Sequence, residues 1–196
     1  MAGFSPSIKK AVVGLRTIHT ILVVVEERQP FALWCREIAL VSKNISAPRQ
    51  TGARQCYYLD SDGYLFTEAP QPKDGTLKEY AGGVAADNPE GAFFLDPKKF
   101  SRLSSFLGEL EGLGLAPRRA FVNSDGDFEI TLPGAAKILI SGQRDFDATL
   151  QNLESFLGSG NVNIVIKEGT INVEYLDLRF GDKVFYRTRQ ASAAAH

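Results

Sequence analysis

The closing stretch of this 196-residue chain, residues 171–187, constrains its fold more than any other segment and reads INVEYLDLRFGDKVFYR. Two runs rich in β-branched and aromatic residues flank Gly181-Asp182, a pattern typical of a tight β-hairpin. The apolar positions of the first run change parity along it: Ile171, Val173 and Tyr175, then Leu176, Leu178 and Phe180. Because side chains alternate between the two faces of a strand, this change predicts a bulge near Tyr175.

The composition is that of a folded domain with balanced charge. Hydrophobic residues make up 44% of the chain, enough to bury a core, and 22 Lys and Arg against 23 Asp and Glu leave a formal net charge of −1. This balance gives no electrostatic attraction for nucleic acid or an anionic membrane surface. The longest apolar run, residues 21–25, is far shorter than a membrane-spanning helix, and residues 1–10 lack the pattern of a signal peptide.

Turn and helix signals divide the rest of the chain into short elements. Residues 60–63 (DSDG) and 123–126 (NSDG) predict hairpin turns. Asp96 is predicted to cap one helix, and the apolar spacing of residues 145–157 predicts a second. Residues 36–55 and 71–91 have no sustained period and are predicted as loops. Strands outnumber helices and are joined mostly by hairpin turns. The sequence therefore predicts an α+β fold, an antiparallel β-sheet with two helices packed on one face.

No catalytic, metal or cofactor motif is found in the sequence. Asp60, Asp62, Asp125 and Asp127 are candidates for paired catalytic carboxylates or calcium ligands, but neither cluster meets the EF-hand pattern, so they are interpreted as turn residues. The two histidines, His19 and His196, are far apart, and the nucleophile-elbow, phosphate-loop and zinc-protease motifs are missing. We therefore expect no cofactor, no metal and no enzymatic activity.

Three motifs, in this order along the chain, resemble the FtsQ/DivIB cell-division family: EERQPFALWC at residues 26–35, YYLDSDGYLF at 57–66, and YLDLRFGDKVFYR at 175–187. The resemblance spans most of the chain. It implies that residues 1–30 are the end of a POTRA domain, a partial POTRA-like β-hairpin, and that residues 31–190 are the family's β domain. Residues 191–196 are predicted to be a disordered tail.

The resemblance also implies a function and a location. Members of the family are non-enzymatic scaffolds of septum formation. They recruit the divisome partners FtsB and FtsL, and the septal synthase complex is a further expected partner. They lie on the extracytoplasmic face of the bacterial cytoplasmic membrane, held by a single-pass N-terminal anchor that has no counterpart in this chain. Membrane association is therefore expected only through that anchor.

The expected partner-binding site is the closing hairpin, which in the family receives a strand of FtsB. The predicted residues are Tyr175, Asp177, Arg179, Phe180, Lys183, Val184, Phe185 and Tyr186. Phe180, Phe185 and Tyr186 would be anchors. Arg179 and Lys183 would set the register of the added strand by charge. From the residues alone, the alternative in which loops cover this edge and the aromatic side chains pack beneath them is slightly favoured.

Cys35 and Cys56 are the only cysteines of the chain. In a reducing compartment they would be two buried thiols, whereas the extracytoplasmic location implied by the resemblance makes them a candidate disulfide pair. Sequence does not decide between these states.

Two other functions remain open at this stage. A POTRA-type module of an outer-membrane assembly or secretion system would use a similar strand edge for other clients. A cell-wall hydrolase would use Asp60 or Asp125 for acid-base chemistry.

Overall fold

A computed structural model of the protein describes residues 5–36, 54–70, 77–85, 87–160 and 164–189. Within these residues the chain forms thirteen β-strands and two α-helices. The elements are β1 (Ile8–Thr17), β2 (Thr20–Glu27), β3 (Ala32–Cys35), β4 (Cys56–Leu59), β5 (Leu65–Ala69), β6 (Glu79–Gly82), α1 (Pro97–Gly112), β7 (Arg119–Val122), β8 (Phe128–Thr131), β9 (Lys137–Ile140), α2 (Phe146–Gly158), β10 (Ile166–Lys167), β11 (Thr170–Ile171), β12 (Val173–Phe180) and β13 (Lys183–Thr188).

Nine strands form one sheet in the order β13-β12-β9-β8-β7-β6-β3-β4-β5. The predicted α+β class is confirmed, but the sheet is mixed rather than antiparallel throughout, since β3 and β6, β6 and β7, and β9 and β12 pair in parallel. Parallel neighbours need a crossover connection, and the two helices supply it between β6 and β7 and between β9 and β12. Strand β6 was also missed, because it lies in the stretch predicted as a loop.

Both helices lie on one face of the sheet. The connections from β6 to β7 and from β9 to β12 both move along the sheet towards β13, and these four strands are parallel to one another. Right-handed connections therefore place α1 and α2 on the same face of the sheet. There the rings of Phe106 and Phe146, one from each helix, lie 5.8 Å apart. The predicted cap of α1 at Asp96 is confirmed, and α2 begins at Phe146, one residue after its predicted start, with Asp145 as its cap. The carboxylates of both caps accept hydrogen bonds from two backbone N–H groups of the first turn.

The main core lies between these helices and the sheet. α1 contributes its apolar stripe, which is Phe100, Leu103, Phe106, Leu107 and Leu110. Inward-facing residues of eight strands of the nine-stranded sheet complete this core, among them Trp34, Tyr80, Phe128, Ile130, Ile138 and Leu176. A smaller cluster on the opposite face contains Leu33, Cys35, Cys56 and Ala69, so β3 is buried on both sides.

Strands β1 and β2 form a separate two-stranded sheet. Arg28, just after β2, joins this hairpin to the main sheet: its guanidinium forms an ion pair with the buried carboxylate of Asp60 and lies 3.9 Å from the ring centroid of Tyr64. Lys9 of β1 adds an ion pair with Asp62, 3.0 Å from Nζ to Oδ2. The predicted hairpin is present, while its relation to a POTRA domain stays a prediction.

The turn predictions are confirmed. Residues 60–63 join β4 to β5, residues 123–127 join β7 to β8, and Gly181-Asp182 joins β12 to β13, all antiparallel pairs. The predicted bulge is also present: Val173 pairs with Thr188 but Tyr175 pairs with Arg187, so β12 has one extra residue there. Most of the predicted loop at residues 36–55, the tail of residues 191–196 and His196 lie outside the described residues.

The buried phenol of Tyr80 predicts a loss of stability at high pH. Burial in the core raises the pKa of Tyr80 to about 12, above its ordinary value of 10.0. Since the unfolded chain ionises this group more readily, the stabilisation is complete below pH about 10 and declines as the pH rises towards 12. We expect wild type to lose about 1–2 kcal/mol more than Tyr80→Phe between pH 8 and pH 11 in urea unfolding. Equal losses in the two proteins would contradict this assignment.

Two glycines predict opposite effects of the same substitution. A Cβ on Gly142 would lie 1.8 Å from the carbonyl oxygen of Gly126, whereas a Cβ on Gly108, exposed in α1, would meet nothing within 4 Å. Gly142→Ala should therefore destabilise the protein by about 1–3 kcal/mol through overpacking. Gly108→Ala should stabilise it by about 0.5–1 kcal/mol, because alanine loses less backbone entropy in a helix. Thermal unfolding of both variants measures the sign of each change.

Candidate partner-binding edge

Strand β13 is the last strand of the nine-stranded sheet, and within the described residues it pairs only with β12. The other outer strand, β5, is partly covered: the N–H of Leu65 donates to Ala92 O at 2.9 Å, and the N–H of Gly91 donates to Leu65 O at 2.8 Å. The outer side of β13 is called here the open edge (Lys183–Thr188). An open edge presents backbone N–H and C=O groups that a further strand can pair with.

The open edge has exposed aromatic side chains around it. Phe180, Phe185 and Tyr186 expose 55%, 51% and 40% of their surface. The rings of Phe180 and Phe185 meet edge to face, with centroids 5.4 Å apart. An open depression of about 570 Å³ is lined by these two phenylalanines together with Asp182 and Lys183. The depression can receive an apolar side chain of a neighbouring strand.

The two faces of β13 differ in their surroundings. Tyr186 points towards the helices, where its ring lies 5.3 Å from that of Phe156 in α2, and the half-buried Val184 packs against the main core on the same side. Because successive side chains alternate, Phe185 projects from the opposite face. A strand added at the open edge would therefore meet an aromatic residue on each face.

Arg179 is held by carboxylates of its own chain. Its Nε and Nη2 donate to Asp177 Oδ1 and Oδ2 at 2.9 and 2.7 Å, and its Nη1 lies 3.4 Å from Asp127 Oδ2. Hydrogen bonding to Asp177 raises the pKa of Arg179, so the group stays charged. Asp177, predicted to contact a partner, is buried at this pair. The arrangement fixes the end of β12 just before the closing turn.

The remaining predicted residues lie along the same hairpin. Tyr175 is half-buried, and the guanidinium carbon of Arg187 lies 5.8 Å from its ring centroid. Lys183 begins β13 and is exposed. The structure thus brings all eight predicted residues together on β12 and β13.

Residues outside the hairpin also hold it in place, and sequence reasoning missed them. Asn152 of α2 donates from Nδ2 to the carbonyl oxygen of Gly181 at 2.9 Å, and a cleft of about 470 Å³ separates α2 from the turn around Asp182. Asp127, in the β7–β8 turn, contacts Arg179, and Phe156, in α2, contacts Tyr186. The local hairpin pattern has no signal for these contacts, because the residues lie on other elements.

Cys35 and Cys56 form a disulfide bond, with their Cα atoms 4.1 Å apart. They are directly opposite each other in the β3–β4 pair, and both are buried in the smaller cluster. The bond closes the segment that includes residues 37–53, which lie outside the described residues.

The carboxylates considered for acid-base chemistry act in turns. Asp60 accepts hydrogen bonds from the backbone N–H groups of Asp62 and Tyr64 at 2.9 and 3.0 Å, besides its ion pair with Arg28. The N–H of Asp125 donates to Asn123 Oδ1 at 2.9 Å. In the described part of the chain, no group of His, Cys, Asp and Glu is arranged to hold a metal ion.

No protein-family model matches the chain, and no curated protein is significantly similar to it. Among the described residues, no helix has both the length and the apolar character to cross a membrane.

Removing the guanidinium of Arg179 should weaken the fold more than removing a neighbouring one. Arg179→Ala leaves the buried Asp177 carboxylate without its charged donor, so we expect a loss of about 1–3 kcal/mol in urea unfolding. Arg187 is the matched control, because its guanidinium lies 3.5 Å from Glu174 on the exposed surface. Arg187→Ala should cost less than about 1 kcal/mol. Equal costs for the two variants would show that the Asp177 contact does not stabilise the hairpin.

Proposed function

We propose that the protein is a non-enzymatic, extracytoplasmic scaffold of bacterial cell division that recruits FtsB and FtsL by strand addition at the open edge. The observation that supports this most directly is the position of β13: it ends a nine-stranded sheet, and exposed aromatic residues surround it. The septal synthase complex would be recruited indirectly, through those partners.

Strand addition suits this edge on physical grounds. Backbone hydrogen bonds to an added strand give affinity for any extended segment, and side-chain pockets select the sequence. Here the depression between Phe180 and Phe185 offers a pocket on one face, and Tyr186 offers an aromatic contact on the other. We assign these three residues as anchors. Lys183 would set the register by charge, and Arg179 would support the site through Asp177.

The motifs that resemble the FtsQ/DivIB family are also connected in space. Arg28, from the motif at residues 26–35, forms its ion pair with Asp60, from the motif at residues 57–66. The first motif crosses the junction between the N-terminal hairpin and β3, which is consistent with a POTRA-like segment in residues 1–30 and a β domain in residues 31–190. The third motif forms the open edge itself.

The disulfide supports the proposed location. Disulfide bonds form and persist in oxidising compartments and are rare in a reducing cytosol. A Cys35–Cys56 bond therefore fits a domain on the outer side of the cytoplasmic membrane, held there by an N-terminal anchor of the kind found in the family.

The second candidate function is a POTRA-type module that binds clients of an outer-membrane assembly or secretion system. It is favoured by the β1–β2 hairpin, which within the described residues pairs with no other strand. This function places the client on β1 or β2, so substitutions in β13 would leave client binding unchanged.

Alanine substitutions at the aromatic anchors should weaken partner binding. We expect Phe180→Ala and Tyr186→Ala each to reduce affinity for the soluble extracytoplasmic segments of FtsB and FtsL by about 2 kcal/mol, roughly 30-fold, in isothermal titration calorimetry. The reason is that each change removes a large apolar contact next to the added strand.

Phe93→Ala is the matched control. Phe93 is 47% exposed, similar to the anchors, but it lies beside β5 at the other end of the sheet. The affinity of the Phe93→Ala variant for the FtsB and FtsL segments should stay close to that of wild type. Unchanged affinity in both anchor variants would remove the proposed site, and a folded wild-type chain that binds neither segment would remove the proposed function.

A further inference from the structure

The N-terminal hairpin of β1 and β2 is attached to the rest of the protein by polar contacts. Every residue of β2 is exposed, and no residue of β1 or β2 belongs to either hydrophobic cluster of the described residues. The two strands also pair only with each other there. In this part of the chain, the position of the hairpin against the main sheet therefore depends on the contacts at the junction between them.

Arg28 contacts both parts at this junction. Its Nε donates to the carbonyl oxygen of Pro6 at 3.1 Å, and its Nη1 forms the ion pair with Asp60 in the β4–β5 turn. The guanidinium lies over the ring of Tyr64, which follows that turn. A guanidinium suits this position, because its donors point in several fixed directions and its face stacks on aromatic rings. The four residues Arg28, Pro6, Asp60 and Tyr64 are called here the Arg28 clasp.

The Arg28–Asp60 pair is shielded from water, whereas the ion pair between Lys9 and Asp62 at the same junction is not. The side chains of Arg28 and Asp60 expose 14% and 3% of their surface, against 37% and 49% for Lys9 and Asp62. Exposed pairs contribute little, because water and salt screen them. Removing one member of a buried pair is more costly, since the other charge is left unpaired. The orientation of the hairpin therefore depends on Arg28 rather than on Lys9.

The backbone between the two parts has no regular structure of its own, since residues 28–31 form neither helix nor strand. On the hairpin side, the N–H of Arg28 donates to the carbonyl oxygen of Ser7 at 2.8 Å. On the sheet side, the N–H of Phe31 donates to the carbonyl oxygen of Leu59, also at 2.8 Å. Rotation of the backbone between Arg28 and Phe31 breaks neither of these bonds.

The β4–β5 turn does not need Arg28 to keep its shape. Oδ1 of Asp60 accepts hydrogen bonds from the N–H groups of Asp62 and Tyr64, whereas Arg28 binds the other oxygen, Oδ2. The N–H of Asp60 also donates to the carbonyl oxygen of Tyr64 at 3.1 Å. These bonds remain when the ion pair opens, and water can then solvate Oδ2. Opening the pair therefore leaves the turn and the sheet behind it folded.

We infer that the Arg28 clasp is a releasable joint. While the Arg28–Asp60 pair is closed, the hairpin has one orientation against the main sheet. When the pair opens, the hairpin is released and moves about residues 28–31, and the nine-stranded sheet keeps its structure. This inference does not depend on the proposed partner binding, because the clasp lies at the β5 end of the sheet and the open edge at the β13 end.

The test measures the distance between the hairpin and the main sheet with its helices, by double electron–electron resonance of the full chain. Val23→Cys in β2 and Ser105→Cys in α1 place one spin label on each part, both at exposed positions. The two native cysteines are bonded to each other, so only the new thiols react in the absence of a reductant. We expect one narrow distance when Arg28 is present and a broad distribution when Arg28→Ala is added.

Two further variants separate the clasp from other causes. Asp60→Asn keeps an oxygen that accepts from the turn but removes the charge that pairs with Arg28, so it should broaden the distribution as Arg28→Ala does. Lys9→Ala is the matched control, because it removes the exposed ion pair at the same junction, and it should keep the narrow distance. Amide NMR of each variant should show wild-type shifts from β6 to β13.

Four results would overturn the inference. The first three are a broad distribution with Arg28 and Asp60 both present, a narrow one in Arg28→Ala or in Asp60→Asn, and equal broadening in Lys9→Ala. The fourth is loss of the amide signals of the main sheet in Arg28→Ala, because release of the hairpin would then be inseparable from unfolding.

Discussion

The packing of both helices on a single face is the constraint on which the rest of the structure depends. α1 and α2 can bury their apolar stripes only against the sheet, and as crossovers they force the parallel pairs β6–β7 and β9–β12. Tyr80 in β6 and Phe100 in α1 meet at the centre of this core, with ring centroids 5.2 Å apart. After the second crossover the chain returns as β12 and turns back as β13. The last hairpin thus ends the sheet, and its outer edge stays open within the described residues.

A binding edge is effective when it is rigid before the partner arrives, because ordering costs reduce affinity. Three contacts hold the closing hairpin: Arg179 with Asp177 and Asp127, Asn152 with the turn carbonyl, and Phe156 with Tyr186. They connect the hairpin to α2 and to the β7–β8 turn. The helices therefore bury the core, and α2 also fixes the orientation of the closing hairpin that forms the proposed site.

The sequence predicted the structural features that depend on neighbouring residues, such as helix caps, turns and bulges. The cap at Asp96, the turn at residues 60–63 and the bulge near Tyr175 follow from a few neighbouring residues, and all are present. The parallel pairs were missed because they depend on which distant strands meet. β6 was missed because its four residues lie in a stretch with turn-forming composition. The candidate site shows the same division: its eight residues are one local hairpin, whereas Asp127 and Phe156 reach it only through the tertiary fold.

The central claim is that a partner adds a strand to β13. It is tested most directly by amide NMR of the full chain during titration with the soluble extracytoplasmic segments of FtsB and FtsL, together with amide hydrogen exchange of the complex. Strand addition predicts saturable shifts confined to β12 and β13, and slower exchange of alternate amides from Lys183 to Thr188, since only alternate N–H groups point outward. Binding that leaves the exchange of these amides unchanged, or that shifts β1 and β2 instead, would contradict the account.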